Sequence, residues 1–224
     1  MVKRRIHVVI VAAGTGSRFG SDIPKQFHRL PSTGRTVLDT AINVFRRTLP
    51  EADITVVVSK GMEHFVTDND VAVVFGGATR FHSVFNAVSS LETGPDDIIL
   101  IHDGARPLVD AGTIDSVVEA LESHKAVVPV VAVTDSLRHV ESDGTTRIVD
   151  RADFRAVQTP QGFHARTLCQ AYSTEYRQGF TDDASVVEAA GITVATVDGN
   201  PDNIKITNPA DLAMADAILK NLQH

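Results

Sequence analysis

Near its start the sequence reads "AAGTGSRFGSDIPKQF", which places Gly14, Gly16 and Gly20 around Arg18 and then brings in Pro24 and Lys25. Glycine lets backbone N–H groups approach an anion closely, and two cations on the same loop supply the opposing charge. Pro24 stiffens the approach to Lys25. Arg18 can grip two phosphate oxygens, while Lys25 offers a movable point charge. The spacing G-x-G-x-x-x-G is one residue longer than the dinucleotide-binding fingerprint, and no "GK[ST]" follows to make a P-loop. A second constellation lies in "DDIILIHDGARP". Asp103 follows an apolar run, and a carboxylate at the end of a buried strand can hold Mg²⁺, which takes one or two carboxylates together with phosphate oxygens and water. Arg106 adds charge for another anionic group. The alternative is that Asp103 caps the following turn and pairs with Arg106. Asp202 is a weaker metal candidate of the same kind.

The composition narrows the ligands these residues can serve. A formal net charge of −7 opposes sequence-independent binding to nucleic acid, which requires a basic face. Aromatics make up 5% of the chain and tryptophan is absent, so no stacking platform for bases is expected. The expectation is therefore no nucleic-acid partner and a small anionic ligand held by a local basic cluster. One cysteine, Cys169, allows no internal disulfide and is expected to be a helix-packing thiol in a reducing, cytoplasmic protein. The apolar run after Lys3, Arg4 and Arg5 is too short for a secretory signal, and no stretch approaches the roughly 20 residues of a membrane span. The nine histidines show no ligand spacing and no serine sits in a nucleophile elbow, so neither zinc nor Ser-His-Asp chemistry is expected.

The elements that must position these residues follow from hydrophobic period. "HVVIVAA", "DITVVVS", "DVAVVFGG", "DDIILIHDGA" and "KAVVPVVAV" are apolar runs of strand length, several without alternation, as suits strands buried on both faces. Between them lie stripes at helical spacing: Val37, Ala41, Val44 and Phe45; Phe81, Val84, Phe85, Val88 and Leu91; Ile114, Val117, Val118 and Leu121. Alternating strand and helix predicts an α/β fold, a single Rossmann-like, mostly parallel sheet sandwiched by helices. One domain spanning 1–224 accommodates all of it. The pattern breaks in "TDSLRHVESDGTTRIVDRADF", where Asp143 and Gly144 form a favoured turn pair between two strand-like stretches. This predicts a protruding β-hairpin arm at about 134–156 that either stays solvated or finds a partner. At the end, Asn208 and Pro209 open a helix whose buried stripe is Leu212, Ala215, Leu219 and Leu222.

The whole string "AAGTGSRFGSDIPKQF" resembles the signature of the nucleotidylyltransferases that activate sugar and polyol phosphates, and within that group the 2-C-methyl-D-erythritol 4-phosphate cytidylyltransferase family. "GGATRFHSV", "HDGARP", "DRADFRAVQTPQGF", "TDDAS" and "DNIKIT" occur in that family's order and approximate spacing. The resemblance implies transfer of CMP from CTP to a polyol phosphate with release of pyrophosphate, Mg²⁺ as cofactor, and a place in non-mevalonate isoprenoid synthesis. It implies catalytic roles for Arg18 and Lys25. Nucleotide binding falls to Ala12, Ala13, Gly14, Gly16, Gly77, Ser83, Asp103 and Lys205, with Asp103 as the metal residue. Substrate binding falls to Arg106, Ser136, Arg151 and Thr207. A homodimer formed through the arm would carry Ser136 and Arg151 to the neighbouring subunit's site. One departure is Ala78, where the family often has an acidic residue.

Three other readings stand beside this one. A cytidylyltransferase for another polyol phosphate, such as ribitol 5-phosphate, shares the loop and the "DNIK" type motif. A nicotinamide-dependent reductase is opposed by the loop spacing and by Asp39, which falls on a helical pattern. A non-enzymatic nucleotide-binding module would differ in releasing no pyrophosphate.

Overall fold

The computed structural model describes residues 4–14, 19–21 and 23–222. The first apolar run forms β1 (Ile6–Val11), whose residues alternate between two buried faces. Val8 and Ile10 pack on one side of the sheet and Val9 on the other, each fully buried. Parallel neighbours β2 (Asp53–Val58) and β4 (Ile98–Asp103) flank β1, and β3 (Ala72–Phe75) pairs with β2. On the far side are β5 (Ala126–Ala132), β8 (Arg155–Val157), β9 (Gln161–His164) and β10 (Ala195–Asp198). The order is β10-β5-β9-β4-β1-β2-β3, with β8 pairing β5 off this path. The sheet is mostly parallel, but β9 runs antiparallel to both β4 and β5, and β8 runs antiparallel to β5.

Helices cover both faces, as the alternation of periods requires. One face carries α1 (Val37–Thr48) and α3 (Ala111–Ala120), with Leu38, Ile42 and Phe45 and then Ile114 and Val117 turned inward. The other carries α2 (Arg80–Ser90), α4 (Ala165–Tyr172) and α5 (Asp183–Ala189). A separate apolar cluster seats α6 (Pro209–Leu222) through Ala215, Leu212 and Leu219. Side chains satisfy the free amides at the helix starts. Thr36, Thr79, Asp110 and Asp182 accept from Asp39, His82, Thr113 and Ser185 backbone N–H groups. Asn208 does the same for Asp211.

The structure corrects four burial expectations. Val73 and Phe75 are exposed because β3 is an edge strand with a neighbour on one side. Phe85 lies outside the α2 stripe and is exposed, as is Leu222 at the last described turn of α6, where Ile218 packs instead. Cys169 sits on the exposed side of α4 and packs no core.

The arm is a separate two-stranded sheet of β6 (Arg138–Val140) and β7 (Thr146–Ile148). Gly144 takes φ +83° in its turn, while the Glu141 N–H donates to the Thr145 carbonyl at 2.8 Å and closes a three-residue loop. Pairing of Arg138 with Ile148 and Val140 with Thr146 puts Val140 and Ile148 on one face. His139 and Arg147 occupy the other, both within 3.1 Å of the Glu141 carboxylate.

Candidate active site

The register of the sheet places the site. Val11, the last residue of β1, lies opposite Asp103, the last residue of β4, so the glycine-rich loop and the carboxylate emerge side by side at the carboxyl edge. Ligands bind at this edge in open α/β sheets. A cavity of about 420 Å³ opens there. Ala12, Ala13, Gly14 and Lys25 line one wall, Gly77, Thr79 and Ser83 line another, and Asp103 and Lys205 face them.

Each wall is pinned by side chains behind it. Gln26, in the turn just after Lys25, donates Nε2 to the Ala12 carbonyl at 2.5 Å and the Gly14 carbonyl at 3.1 Å. Ser59 Oγ donates to the Ala13 carbonyl at 2.8 Å. Opposite, Ser83 Oγ accepts from the Gly77 N–H at 3.1 Å and donates to the Thr79 carbonyl at 2.9 Å, so its hydroxyl holds the loop that precedes α2. Gly77 itself approaches His82 so closely that a Cβ there would stand 2.5 Å from the His82 Cβ.

Asp103 is the electrostatic centre. Lys205 Nζ lies 2.7 Å from its Oδ2, Arg80 Nε lies 3.5 Å from its Oδ1, and Arg106 Nε lies 3.9 Å from Oδ2. Burial opposes ionisation of this carboxyl, but the charges of Arg80, Lys205 and Arg106 outweigh it and hold the group well below the usual carboxylate range. Lys205 reaches it from an extended segment tied to the edge by the Ile206 N–H, which donates to the Ala105 carbonyl at 2.9 Å.

Beneath Asp103, the fully buried His102 is held neutral, its pKa lowered to about 4 chiefly by desolvation. Its Nε2 lies 3.0 Å from the Arg106 carbonyl, which can only accept, so the proton is on Nε2 and Nδ1 accepts from Thr159 Oγ1 at 3.0 Å. Thr159 Oγ1 in turn accepts from the Asp103 N–H at 3.1 Å. This chain fixes the backbone on both sides of the "DGAR" turn.

The site residues expected from sequence do not all meet in one place. Ala12, Ala13, Gly14, Lys25, Gly77, Ser83, Asp103 and Lys205 all line the one cavity. Arg106 lies beside it, donating Nη1 to the Asn203 carbonyl at 2.7 Å, while its Nε is buried without a hydrogen-bond partner among the described residues. Thr207 is turned to α6, giving its hydroxyl to Asp211 at 2.5 Å. Ser136 and Arg151 meet in a different groove of about 390 Å³ at the base of the arm, where Arg151 also donates to the Thr134 carbonyl. Gly16 and Arg18 lie outside the described residues.

Several contributors escaped the sequence reading. Gln26, Ser59 and Thr159 act on backbone atoms, for which side-chain type gives little signal. Arg80 and Asp183 belong to the motifs "GGATRF" and "TDDAS" and carried no assigned role. Among the described residues no cluster of three His, Cys, Asp or Glu side chains could hold a metal. A single ionised carboxylate facing a cavity that Lys25 and Lys205 also line does fit the sparse protein ligation that Mg²⁺ accepts when phosphates supply other ligands.

A glycine-rich strand end, a buried carboxylate and lysines from distant segments, gathered at the carboxyl edge of this sheet, mark an α/β protein of the nucleotidyl-transferring class. Over residues 6–221 the chain matches the family described as 2-C-methyl-D-erythritol 4-phosphate cytidylyltransferase. A relative of that description from Bacteroides thetaiotaomicron is 42% identical over 222 residues, covering 95% of this chain and 98% of its own. The crystal structure of the same enzyme from Thermus thermophilus superposes with a TM-score of 0.80 at 35% identity, covering 96% of this chain and 99% of that one. A 4-diphosphocytidyl-2C-methyl-D-erythritol synthase structure from Anaerococcus prevotii gives 0.82 at 26% identity, covering 97% and 96%. The chain belongs to the 2-C-methyl-D-erythritol 4-phosphate cytidylyltransferase family.

Proposed function

We infer that this chain transfers CMP from CTP to 2-C-methyl-D-erythritol 4-phosphate, forming the CDP-alcohol and pyrophosphate. The reading rests on family membership across almost the whole chain, joined to a cavity that gathers the family's motif residues. The acceptor's phosphate oxygen attacks the α-phosphorus of CTP and pyrophosphate leaves with the bond electrons. Such transfers depend on positioning the reactants and neutralising developing charge. Lys25 and Arg18 are assigned to that charge, and Lys205 to the triphosphate. Mg²⁺ held through Asp103 would neutralise phosphate oxygens and orient them. Backbone at Ala12, Ala13, Gly14 and Gly77 borders the base, where a fixed carbonyl accepts from the cytosine amine and rejects the uracil carbonyl. Ser83 supports it by holding Gly77.

The acceptor phosphate is assigned to Arg106, whose buried Nε has no hydrogen-bond partner among the described residues, and to Ser136 and Arg151 from a second copy of the chain. Thr207 contributes by securing the start of α6 below Lys205. Val140 and Ile148, the exposed apolar face of the arm, support a homodimer in which those residues are covered. Among the described residues no helix is long and apolar enough to cross a membrane.

The test is pyrophosphate release with CTP and Mg²⁺, offering 2-C-methyl-D-erythritol 4-phosphate and ribitol 5-phosphate in parallel. Turnover preferring the first is expected, and Lys25→Ala should lower it on the order of 10²-fold, the scale of losing one transition-state donor. Preference for ribitol 5-phosphate would reject the substrate, and a near-wild-type Lys25→Ala would reject the role.

A further inference from the structure

Arg80, the first residue of α2, is committed on two sides. Its Nη1 and Nη2 donate to the two oxygens of Asp183 at 2.9 and 2.6 Å, and its Nε faces Asp103 Oδ1 at 3.5 Å. Asp183 is fully buried and also accepts from the Tyr172 hydroxyl at 2.6 Å. Nothing places Asp183 in the cavity, since it lines none of that surface.

The base on which Asp183 stands is rigid. Gln161 of β9 donates to the Asp182 carboxylate at 2.8 Å and accepts from the Ala184 N–H at 2.9 Å, so the residues on either side of Asp183 are fastened to the sheet. Phe81 stacks on Tyr172 and Phe180 with centroids at 4.8 and 5.7 Å, binding the start of α2 to the same support. A buried ion pair is weak evidence for stability, because desolvation consumes most of its attraction. Its geometry does have a consequence at the site. With the fork of Arg80 taken by Asp183, only Nε faces Asp103, attracting Oδ1 across 3.5 Å while Oδ2 pairs with Lys205 at 2.7 Å.

We propose that Asp183 is a positioning residue for nucleotidyl transfer, acting through Arg80 to set the orientation of the Asp103 carboxylate. The inference rests on the role assigned to Asp103 above. Displacements of about 1 Å in such groups cost up to roughly 10²-fold in rate.

The test compares Arg80→Gln, Asp183→Asn, the double variant and Asp103→Asn for thermal stability, kcat and the KM for CTP. Each single change at the pair leaves a buried charge uncompensated and should lower Tm. The double variant removes both charges and should recover Tm while kcat stays about 10-fold to 10²-fold down, with the KM for CTP within about threefold of wild type. Recovery of kcat together with Tm would show that the pair only balances charge, and would overturn the proposal. If the double variant does not fold, Arg80→Lys decides: a rate loss of about tenfold or more at near-normal Tm supports positioning, and a wild-type rate overturns it. A near-wild-type Asp103→Asn would instead reject the site assignment beneath it.

Discussion

At the scale of single residues, the protein holds its carboxylates by different means at the two edges of the sheet. Asp103, at the functional edge, is kept ionised by cations. Asp97, at the opposite edge, is kept ionised by backbone: the Arg5 and Gly94 N–H groups donate to it at 3.0 and 2.7 Å, with His7 Nε2 at 3.6 Å. Burial acts against ionisation of Asp97, yet those donors and His7 hold its pKa below the ordinary value. A carboxyl depressed in the folded state contributes stability that is complete above the unfolded pKa of about 3.9 and is lost as pH falls through the lower folded value. Asp97→Asn should therefore start about 1–3 kcal/mol less stable at neutral pH, since two part-buried N–H donors lose a charged acceptor. It should then lose less than wild type on acidification below about pH 4. Urea unfolding of both proteins from pH 7 to pH 2 measures the gap, and a gap that stays constant would show that the Asp97 charge contributes nothing.

At the scale of elements, the strands legible in the sequence are the long apolar ones. β9 is only Gln161–His164 and includes Gly162, so it shows neither a run nor an alternation. Its identity comes from its neighbours, because a Cβ on Gly162 would meet Val117 Cγ1 at 2.5 Å and Leu121 Cδ1 at 2.9 Å. The bare strand is what lets α3 lie close to the sheet. Gly162→Ala is expected to cost about 1–3 kcal/mol, as overpacking does, with denaturant unfolding as the measure. Unchanged stability would mean that α3 can shift to make room. The same reasoning explains why β8 and β10 were not foreseen. Both are three- or four-residue segments paired with β5, which supplies their reason to be extended.

At the scale of the whole molecule, the arm is the part whose sequence and surroundings disagree. Val140 and Ile148 are 65% and 74% exposed on one face of a two-stranded ribbon, and a lone hairpin in water is marginal. A second copy of the chain would cover that face. Val140→Asp with Ile148→Asp should leave the folded chain intact, convert a dimer to a monomer in sedimentation, and remove most of the turnover by withdrawing Ser136 and Arg151 from the neighbouring site. A monomeric variant with full activity would reject that arrangement.

By itself the sequence determined the class of fold, the family motifs, and eight site residues that do line one cavity, because strand and helix periods, caps and glycine-cation spacing are local properties carried by adjacent side chains. Only the tertiary structure decided that Arg106 and Thr207 spend their polar atoms on the Asn203 carbonyl and on Asp211, that Ser136 and Arg151 lie in a separate groove, and that Arg80 joins Asp183 to Asp103. Those facts depend on which distant segments the register of β1 and β4 brings to one edge. Partnership between residues far apart in the chain is a property of packing, and residue type alone carries no record of it.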